Sequence, residues 1–314
     1  MHDNGTPAAR PVVATLFPLP PDILAALSAD FEVLSEPVDN DRTGLVRALL
    51  THSGIGADRR LMDRFPRLEV ISNYGVGYDA IDLMWAKARG VTVANSPDLK
   101  TDDVADIAIG LTLDVMRGVS RGDRFVRAAH WGAAPTPPTG VSLKGKAMGV
   151  VGLGRIGTAI ARRAEAFGMR VMWTGPTAKP EVSWPYRSSV AALAADVTVL
   201  VLACPGGEKT RHLVNAAVLD ALGPEGFLVN VARGSVVDEP ALVAALVGGR
   251  IAGAGLDVFA AEPAVPKALL GLETVCLQPH SASATLESRG AMLELALDNL
   301  RSHFFGSGVR TPVS

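Results

Sequence analysis

The sequence predicts an α/β protein made of two doubly wound parallel-sheet domains. Three observations lead there. Short runs rich in β-branched and apolar residues alternate with segments of helical spacing along the chain, the pattern of strand-helix-strand crossovers. The alternation runs as two sets, with a break near Pro97 and a long helical segment after it. The 314 residues suffice for two ordinary domains, and an apolar content of 48% supplies a core for each.

In the first set, 12–17 (VVATLF), 48–53 (ALLTHS), 68–73 (LEVISN) and 91–95 (VTVAN) read as buried strands, and 58–65 (DRRLMDRF) as helical. After Pro97, Thr101 is placed as an N-cap, with Asp102 and Asp103 in the first turn where the helix dipole favours carboxylates. Apolar positions continue to Met116, and Gly118 reads as the stop. This helix is expected to join the domains. Residues 130–145 hold three prolines within 135–138 and read as a loop. The second set places strands at 147–152, 170–174, 197–204, 226–232, 251–259 and 274–280. The last helical pattern, 285–306, follows the final strand and is expected to return to the first domain. The domains expected are therefore 1–100 with 285–314, and 101–284. There is no internal repeat of fixed period and no low-complexity tract.

Charge and cysteine usage narrow the class. Thirty Lys and Arg against 32 Asp and Glu give a formal net charge of −2, which lacks the basic footprint of a nucleic-acid or acidic-membrane binder. Cys204 and Cys276 lie in apolar runs, so a disulfide framework is not expected and a cytoplasmic chain is. The N-terminal MHDNGTPAARP has no apolar core of a signal peptide, and no apolar run approaches the ~20 residues of a membrane span. The six histidines are scattered, and no metal site is expected.

Residues 152–157, GLGRIG, place Gly152, Gly154 and Gly157 in G-x-G-x-x-G spacing. Alone the motif is weak. Here it follows an apolar strand and opens a helical run, the context of a dinucleotide-binding βα turn. Gly152 allows the tight turn, Gly154 lets a pyrophosphate approach the backbone, and Gly157 lets helix and strand pack closely. The first helical N–H groups, at Arg155 and Ile156, then face the phosphates. An Asp or Glu at the end of the next strand would bond the adenosine ribose 2′-OH. That strand, 170–174, runs into Gly175, Pro176 and Thr177, and no carboxylate lies between Gly168 and Lys179. Nothing there repels a 2′-phosphate; Thr177 could donate to one and Lys179 could supply a positive charge, or both are solvated loop residues. NADP(H) is the expected cofactor, with NAD(H) tolerated.

Ligands of open α/β sheets bind beyond the carboxyl ends of strands. Arg233 follows one such end, Asp257 and Glu262 another, and His280 ends the last. Each alone is commonplace as a surface ion pair, a solvated acid or a packed imidazole. Together they suit reduction of a 2-oxo acid. A guanidinium fork clamps a carboxylate, an imidazolium protonates the carbonyl oxygen, and a carboxylate on the other ring nitrogen orients that imidazole.

With these residues in view, the sequence resembles the D-isomer-specific 2-hydroxyacid dehydrogenases. The blocks that carry the resemblance are VGLGRIG, NVARGSVVDEPAL, GAGLDVFAAEP and LQPHSAS, joined by NYGVGYDAID (73–82), TDDVADIAIGL (101–111) and ACPGGEKTRHLVN (203–215). The resemblance runs from about residue 45 to 305, and EAFGM resembles the glyoxylate/hydroxypyruvate and hydroxyphenylpyruvate reductase branch. The resemblance implies two Rossmann/flavodoxin-like domains, a discontinuous substrate domain, a cleft between the two, and a homodimer. It implies Arg233 holding substrate, His280 as general acid in reduction, and Glu262 paired to it. It implies Asp257 on the nicotinamide amide, the N–H groups of Val76 and Gly77 on the substrate carboxylate, and Cys204, Pro205, Thr210 and Val231 lining the cofactor. Trp131 stands where relatives reach into the partner's site; it either does so or packs at the dimer interface. The Ser-Arg or Arg-Ser pair of NADP-preferring members is absent, its place taken by Gly175, Pro176 and Thr177. His52 and Ile55 fall near the expected substrate mouth.

The leading expectation is a reductase of glyoxylate and hydroxypyruvate giving D-2-hydroxy acids. The alternatives are a reductase of bulkier aryl- or alkyl-pyruvates and a nucleotide-sensing corepressor, which the lack of long disordered tails disfavours. A phosphoglycerate dehydrogenase with a regulatory extension is disfavoured because the sequence stops at Ser314.

Overall fold

The computed structural model describes residues 10–97, 99–132, 136 and 139–313. The chain divides into two compact units, Met1–Leu99 with Thr285–Ser314, and Lys100–Ala284.

The first unit is built on five strands, β1 (Val12–Thr15), β2 (Glu32–Ser35), β3 (Val46–His52), β4 (Val70–Tyr74) and β5 (Thr92–Ala94). They lie in the order β2-β1-β3-β4-β5, and every pairing is parallel. Alternation of side chains sends neighbouring residues to opposite faces. Val12, Ala14, Leu49 and Ile71 pack with Met62 of α2 (Arg59–Asp63) and Ala86 of α3 (Leu83–Ala88). Val13, Ala48, Leu50 and Val70 pack with Leu27 of α1 (Pro21–Asp30) and with Ala296, Leu297 and Leu300 of α11 (Leu286–Phe305). The C-terminal helix therefore completes the sheet formed by the N-terminal strands.

The second unit has six parallel strands: β6 (Ala147–Val151), β7 (Arg170–Thr174), β8 (Val199–Leu202), β9 (Phe227–Asn230), β10 (Gly253–Leu256) and β11 (Val275–Leu277). Their order is β11-β10-β9-β8-β6-β7. One face buries Met148, Val150, Val199 and Val201 against α4 (Thr101–Arg117) and α6 (Arg155–Ala166). The other buries Val151, Leu200 and Leu202 against α7 (Val190–Asp196), α8 (Ala216–Leu222) and α9 (Glu239–Val247). A short helix, α10 (Lys267–Leu270), precedes β11. The two all-parallel, helix-flanked sheets bear out the expected fold class.

One local expectation is corrected and another is borne out. Lys100, not Thr101, is the N-cap of α4, without a side-chain cap bond; Thr101 has already entered the helix, so its hydroxyl cannot serve the first turn. Asp102 and Asp103 do occupy that turn. Gly118 ends α4 in the left-handed region, at φ 68° and ψ 42°, but a further helix, α5 (Val119–Arg127), starts at once. No residue of α5 is buried, so it carries none of the core-facing pattern by which the other helices are found. Of the loop 130–145, Pro135, Pro137 and Pro138 lie outside the described residues. Among the described residues no helix is long and apolar enough to cross a membrane.

Leu300 is fully buried between α11 and the first sheet. Leu300→Ala removes about 2–5 kcal/mol of stability, read from urea unfolding of the whole chain. A change inside the scatter of surface substitutions, about 0.5 kcal/mol, would show that α11 does not anchor this sheet.

Candidate active site

The second sheet changes winding direction at β6, with β7 on one side and β8 on the other. The loops leaving the carboxyl ends of β6 and β8 diverge there, which is where open α/β sheets bind ligands. The turn after β6 is GLGRIG. Gly152 has φ +91°, and a Cβ on it would lie 2.7 Å from the Cα of Cys204, the residue that leaves β8. A Cβ on Gly157 would lie 2.1 Å from the carbonyl oxygen of Gly152. Both positions therefore require glycine. At Gly154 a Cβ would meet nothing within 4 Å, so open space faces the start of α6. The first N–H groups of an α-helix have no acceptor within the helix. Close-packed glycines behind and open space before a helix N-terminus fit a dinucleotide pyrophosphate.

The walls around this turn are also ordered. The Thr210 hydroxyl donates to the Pro205 carbonyl at 2.8 Å, with the Gly207 carbonyl 3.1 Å away, fixing the loop after β8. Val231 is buried beyond β9. Burial pushes the Cys204 thiol up to about 11, so it is a packing thiol rather than a nucleophile. Lys179 Nζ donates to the carbonyl of Leu153 at 2.7 Å, placing an ammonium on the glycine turn itself. Thr177 is exposed in the same connection.

Arg233, Asp257, Glu262 and His280 follow β9, β10 and β11. His280 Nδ1 lies 2.7 Å from Glu262 Oε2. Glu262 Oε1 accepts from the N–H of Phe259 at 3.0 Å. Burial works against the Glu262 charge, but His280, the Phe259 amide and the Arg233 charge outweigh it and hold the carboxyl below its usual range. An ionised carboxylate only accepts, so Nδ1 carries the proton and Nε2 is the nitrogen left for chemistry. Arg233 is set by its neighbours: Asn230, 1% exposed, donates from Nδ2 to the Arg233 carbonyl at 3.0 Å and accepts the Ala232 N–H at 3.0 Å. A Cβ on Gly234 would lie 1.9 Å from the Phe259 carbonyl carbon, so the two loops touch only because that residue is glycine.

His280 has a backbone φ of +51°, a conformation that costs a non-glycine residue roughly 1–2 kcal/mol. It is held by the strand before it. The His280 N–H donates to the Asp257 carbonyl at 2.8 Å, and the Ser281 and Ala282 N–H groups donate to the Asp257 carboxylate at 2.8 and 3.1 Å. Asp257 is 1% exposed. Burial raises its carboxyl above the usual range, against the pull of those two amides and of His280.

The first unit holds the remaining candidates. Val76 and Gly77 form the turn after β4, and their N–H groups donate to nothing among the described residues. His52 Nδ1 accepts from the Gly54 N–H at 3.0 Å, and Ile55 is exposed beside it. Trp131, after α5, is 76% exposed. Among the described residues no group of three or more His, Cys, Asp and Glu could hold a metal ion. Sequence reasoning missed Asn73, Asn95 and Asn230 because their work is backbone bonding across loops, although each stands at or beside a strand end.

Residues 109–282 match the family model for the D-isomer specific 2-hydroxyacid dehydrogenase, NAD binding domain. A hydroxyphenylpyruvate reductase from Plectranthus scutellarioides is 46% identical over 287 residues, 90% of this chain and 91% of that one. A glyoxylate/hydroxypyruvate reductase A from Arabidopsis thaliana is 47% identical over 268 residues, 85% of each chain. Among solved structures, the NADPH-dependent glyoxylate/hydroxypyruvate reductase from Sinorhizobium meliloti, in complex with NADP and malonate, superposes with a TM-score of 0.91 at 43% identity, covering 98% of this chain and 97% of that one.

The lowered Glu262 carboxyl fixes the sign of a pH effect. A carboxylate held below its unfolded value contributes stability above the ordinary glutamate range, and that contribution is lost as pH falls through the folded value. Glu262→Gln is therefore less stable than wild type at neutral pH, and the gap closes on acidification. Urea unfolding of both proteins across that range checks it. A gap that persists in acid would show that the loss comes from packing and not from the charge on Glu262.

Proposed function

The chain belongs to the D-isomer specific 2-hydroxyacid dehydrogenase family, and we propose that it reduces small 2-oxo acids, glyoxylate and hydroxypyruvate foremost, to D-2-hydroxy acids with NADPH, accepting NADH less well. The observation that carries this reading is the 2.7 Å contact of His280 with Glu262, beside Arg233, on the sheet edge that bears the glycine turn. The nicotinamide, when bound, supplies a hydride to the carbonyl carbon. Everything else falls to this protein's own residues, side chain and backbone.

His280 gives its Nε2 proton to the carbonyl oxygen as that oxygen gains charge. Glu262 keeps the imidazole oriented through its 2.7 Å contact with Nδ1. Arg233 grips the substrate with a fork of N–H donors. On the first unit, the amides of Val76 and Gly77 receive the substrate carboxylate. Asp257 holds the His280 loop, and its Oδ2, which accepts only a 3.2 Å bond from Ala282 among the described residues, is assigned the nicotinamide amide. Gly152, Gly154, Arg155, Ile156 and Gly157 would hold the pyrophosphate, Cys204, Pro205, Thr210 and Val231 would line the cofactor, and Thr177 and Lys179 would serve the 2′-phosphate. Met1–Leu99 with Thr285–Ser314 is thus the substrate domain and Lys100–Ala284 the cofactor domain.

The protein is proposed to act as a cytoplasmic homodimer. Exposed Val119, Val126 and Trp131 on and after α5 support the dimer, and two unpaired cysteines support the reducing compartment. A second reading, reduction of aryl-pyruvates, draws on the hydroxyphenylpyruvate reductase relative.

Initial rates with glyoxylate, hydroxypyruvate and hydroxyphenylpyruvate, each with NADPH and NADH, test the reading. Higher kcat/KM for the two small acids with NADPH is expected. Preference for hydroxyphenylpyruvate would establish the second reading, and absence of turnover on all three would overturn both. His280→Ala lowers kcat by ~10²-fold or more, the usual share of a general acid; an unchanged kcat would remove His280 from proton transfer. Lys179→Ala raises KM for NADPH and leaves KM for NADH in place, and equal effects on both would detach Lys179 from the 2′-phosphate.

A further inference from the structure

The turn after β4 has an unusual division of its hydrogen bonds. All three of its carbonyls are tied. The Gly75 oxygen accepts from Asn73 Nδ2 at 3.1 Å and from the Ser96 N–H at 2.9 Å. The Val76 oxygen accepts from Asn95 Nδ2 at 2.9 Å. The Gly77 oxygen accepts from Asn73 Nδ2 at 2.9 Å. The N–H groups of Val76 and Gly77 have no acceptor among the described residues.

A trans peptide is planar, and its C=O and N–H point in opposite directions. Fixing the Gly75 oxygen therefore aims the Val76 N–H the other way. Fixing the Val76 oxygen does the same for the Gly77 N–H. Two successive outward N–H groups of this kind make a seat for an anion. The clamp must be an amide. A single Nδ2 carries two hydrogens and reaches two carbonyls, whereas a hydroxyl has one and a carboxylate none. Asn73 is fully buried, and its Oδ1 has no partner among the described residues, so the site tolerates an orphaned acceptor to keep the two donors. Gly75 has φ +135°, and a Cβ there would lie 2.4 Å from Ser53 Oγ, so the turn admits no side chain at its start.

The clamp is itself anchored. Ser96 Oγ, fully buried, lies 3.1 Å from the Met292 carbonyl of α11 and 3.4 Å from the Asn73 carbonyl, and its one hydrogen serves the nearer. Thr311 Oγ1 donates to the Asn95 carbonyl at 2.6 Å, and the Asn299 side chain accepts the Thr311 N–H at 3.1 Å.

We propose that Asn73, with Asn95, is a positioning residue for substrate-carboxylate recognition: the two side-chain amides turn the carbonyls of residues 75–77 inward and so present the Val76 and Gly77 N–H groups to the carboxylate. The inference rests on the reading of this protein as a 2-oxo acid reductase.

The test uses full-length Asn73→Asp and Asn95→Ala with NADPH bound. Three quantities are measured: KM and kcat for glyoxylate, Kd for oxamate, a non-reducible 2-oxo acid isostere, and Kd for NADPH. Loss of a bond to a charged ligand is worth roughly 10- to 100-fold in affinity. Asn73→Asp is expected to raise KM and the oxamate Kd by that factor, with kcat within a few-fold and NADPH binding unchanged. Asn95→Ala, which frees only the Val76 carbonyl, moves the same two quantities less and covers the case in which Asn73→Asp does not fold. Unchanged oxamate binding in Asn95→Ala and in any folded Asn73→Asp overturns the inference, as does equal loss of oxamate and NADPH binding. Wild-type protein that neither reduces glyoxylate nor binds oxamate overturns the parent reading instead, and the inference falls with it.

Discussion

Every strand pairing in both sheets is parallel, and the chemistry depends on that constraint. Parallel strands all end on one edge, so residues distant in sequence gather there without any contact designed for them. In the second sheet the order β6-β8-β9-β10-β11 also sets their sequence along the edge: glycine turn, Arg233, the Asp257–Glu262 loop, His280. Neighbouring strands lie about 4.8 Å apart, so Arg233 after β9 and His280 after β11 stand roughly 10 Å apart at the backbone. Glu262, from the loop of the strand between them, closes that gap. It accepts a hydrogen bond from His280 Nδ1 and feels the Arg233 charge. Those two neighbours help to hold the Glu262 carboxyl below its usual range, against the effect of its burial.

That edge was readable in the sequence, because each of its residues follows an apolar strand and differs sharply from it in kind. The glycine turn was readable for a second reason: its spacing is dictated by backbone collisions, seen here between Gly152 and Cys204 and between Gly157 and Gly152. What stayed hidden shares one property. Asn73, Asn95 and Asn230 act through side-chain bonds to backbone, and no periodicity or composition marks such a bond. The α5 helix stayed hidden because none of its residues is buried: its apolar Val119 and Val126 are exposed and mark no core-facing side. Thr101 was misplaced by one residue because a cap and a first helical residue look alike until the backbone is seen.

The same hidden bonds explain how strained positions persist. His280 pays for a left-handed backbone, and Asp257 is kept buried although burial raises its carboxyl. Neither would survive alone. The Asp257 carboxylate takes the Ser281 and Ala282 amides while its carbonyl takes the His280 amide, so one buried acid offsets the strain of the imidazole it positions. Asn230 does the equivalent for Arg233, and Asn73 for the turn after β4. In each case a buried polar residue at a strand end holds a loop that carries a more exposed reactive group. Rigidity is supplied by the strand and reach by the loop.

Cofactor choice follows from a similar economy of charge. The connection after β7 has no acid to bond a ribose 2′-OH and none to repel a 2′-phosphate. It also lacks an arginine fork. What it offers is Lys179, whose ammonium donates one of its three N–H groups to the Leu153 carbonyl inside the glycine turn. The cation is thus positioned by the turn proposed to hold the pyrophosphate, and two of its donors have no partner among the described residues. A point charge held in this way attracts a phosphate without dictating its geometry, whereas a ribose hydroxyl gains little from it. The proposed preference for NADPH, with NADH still accepted, is what such an arrangement gives: discrimination by one ammonium and by the absence of an opposing carboxylate, and no group that excludes the smaller cofactor.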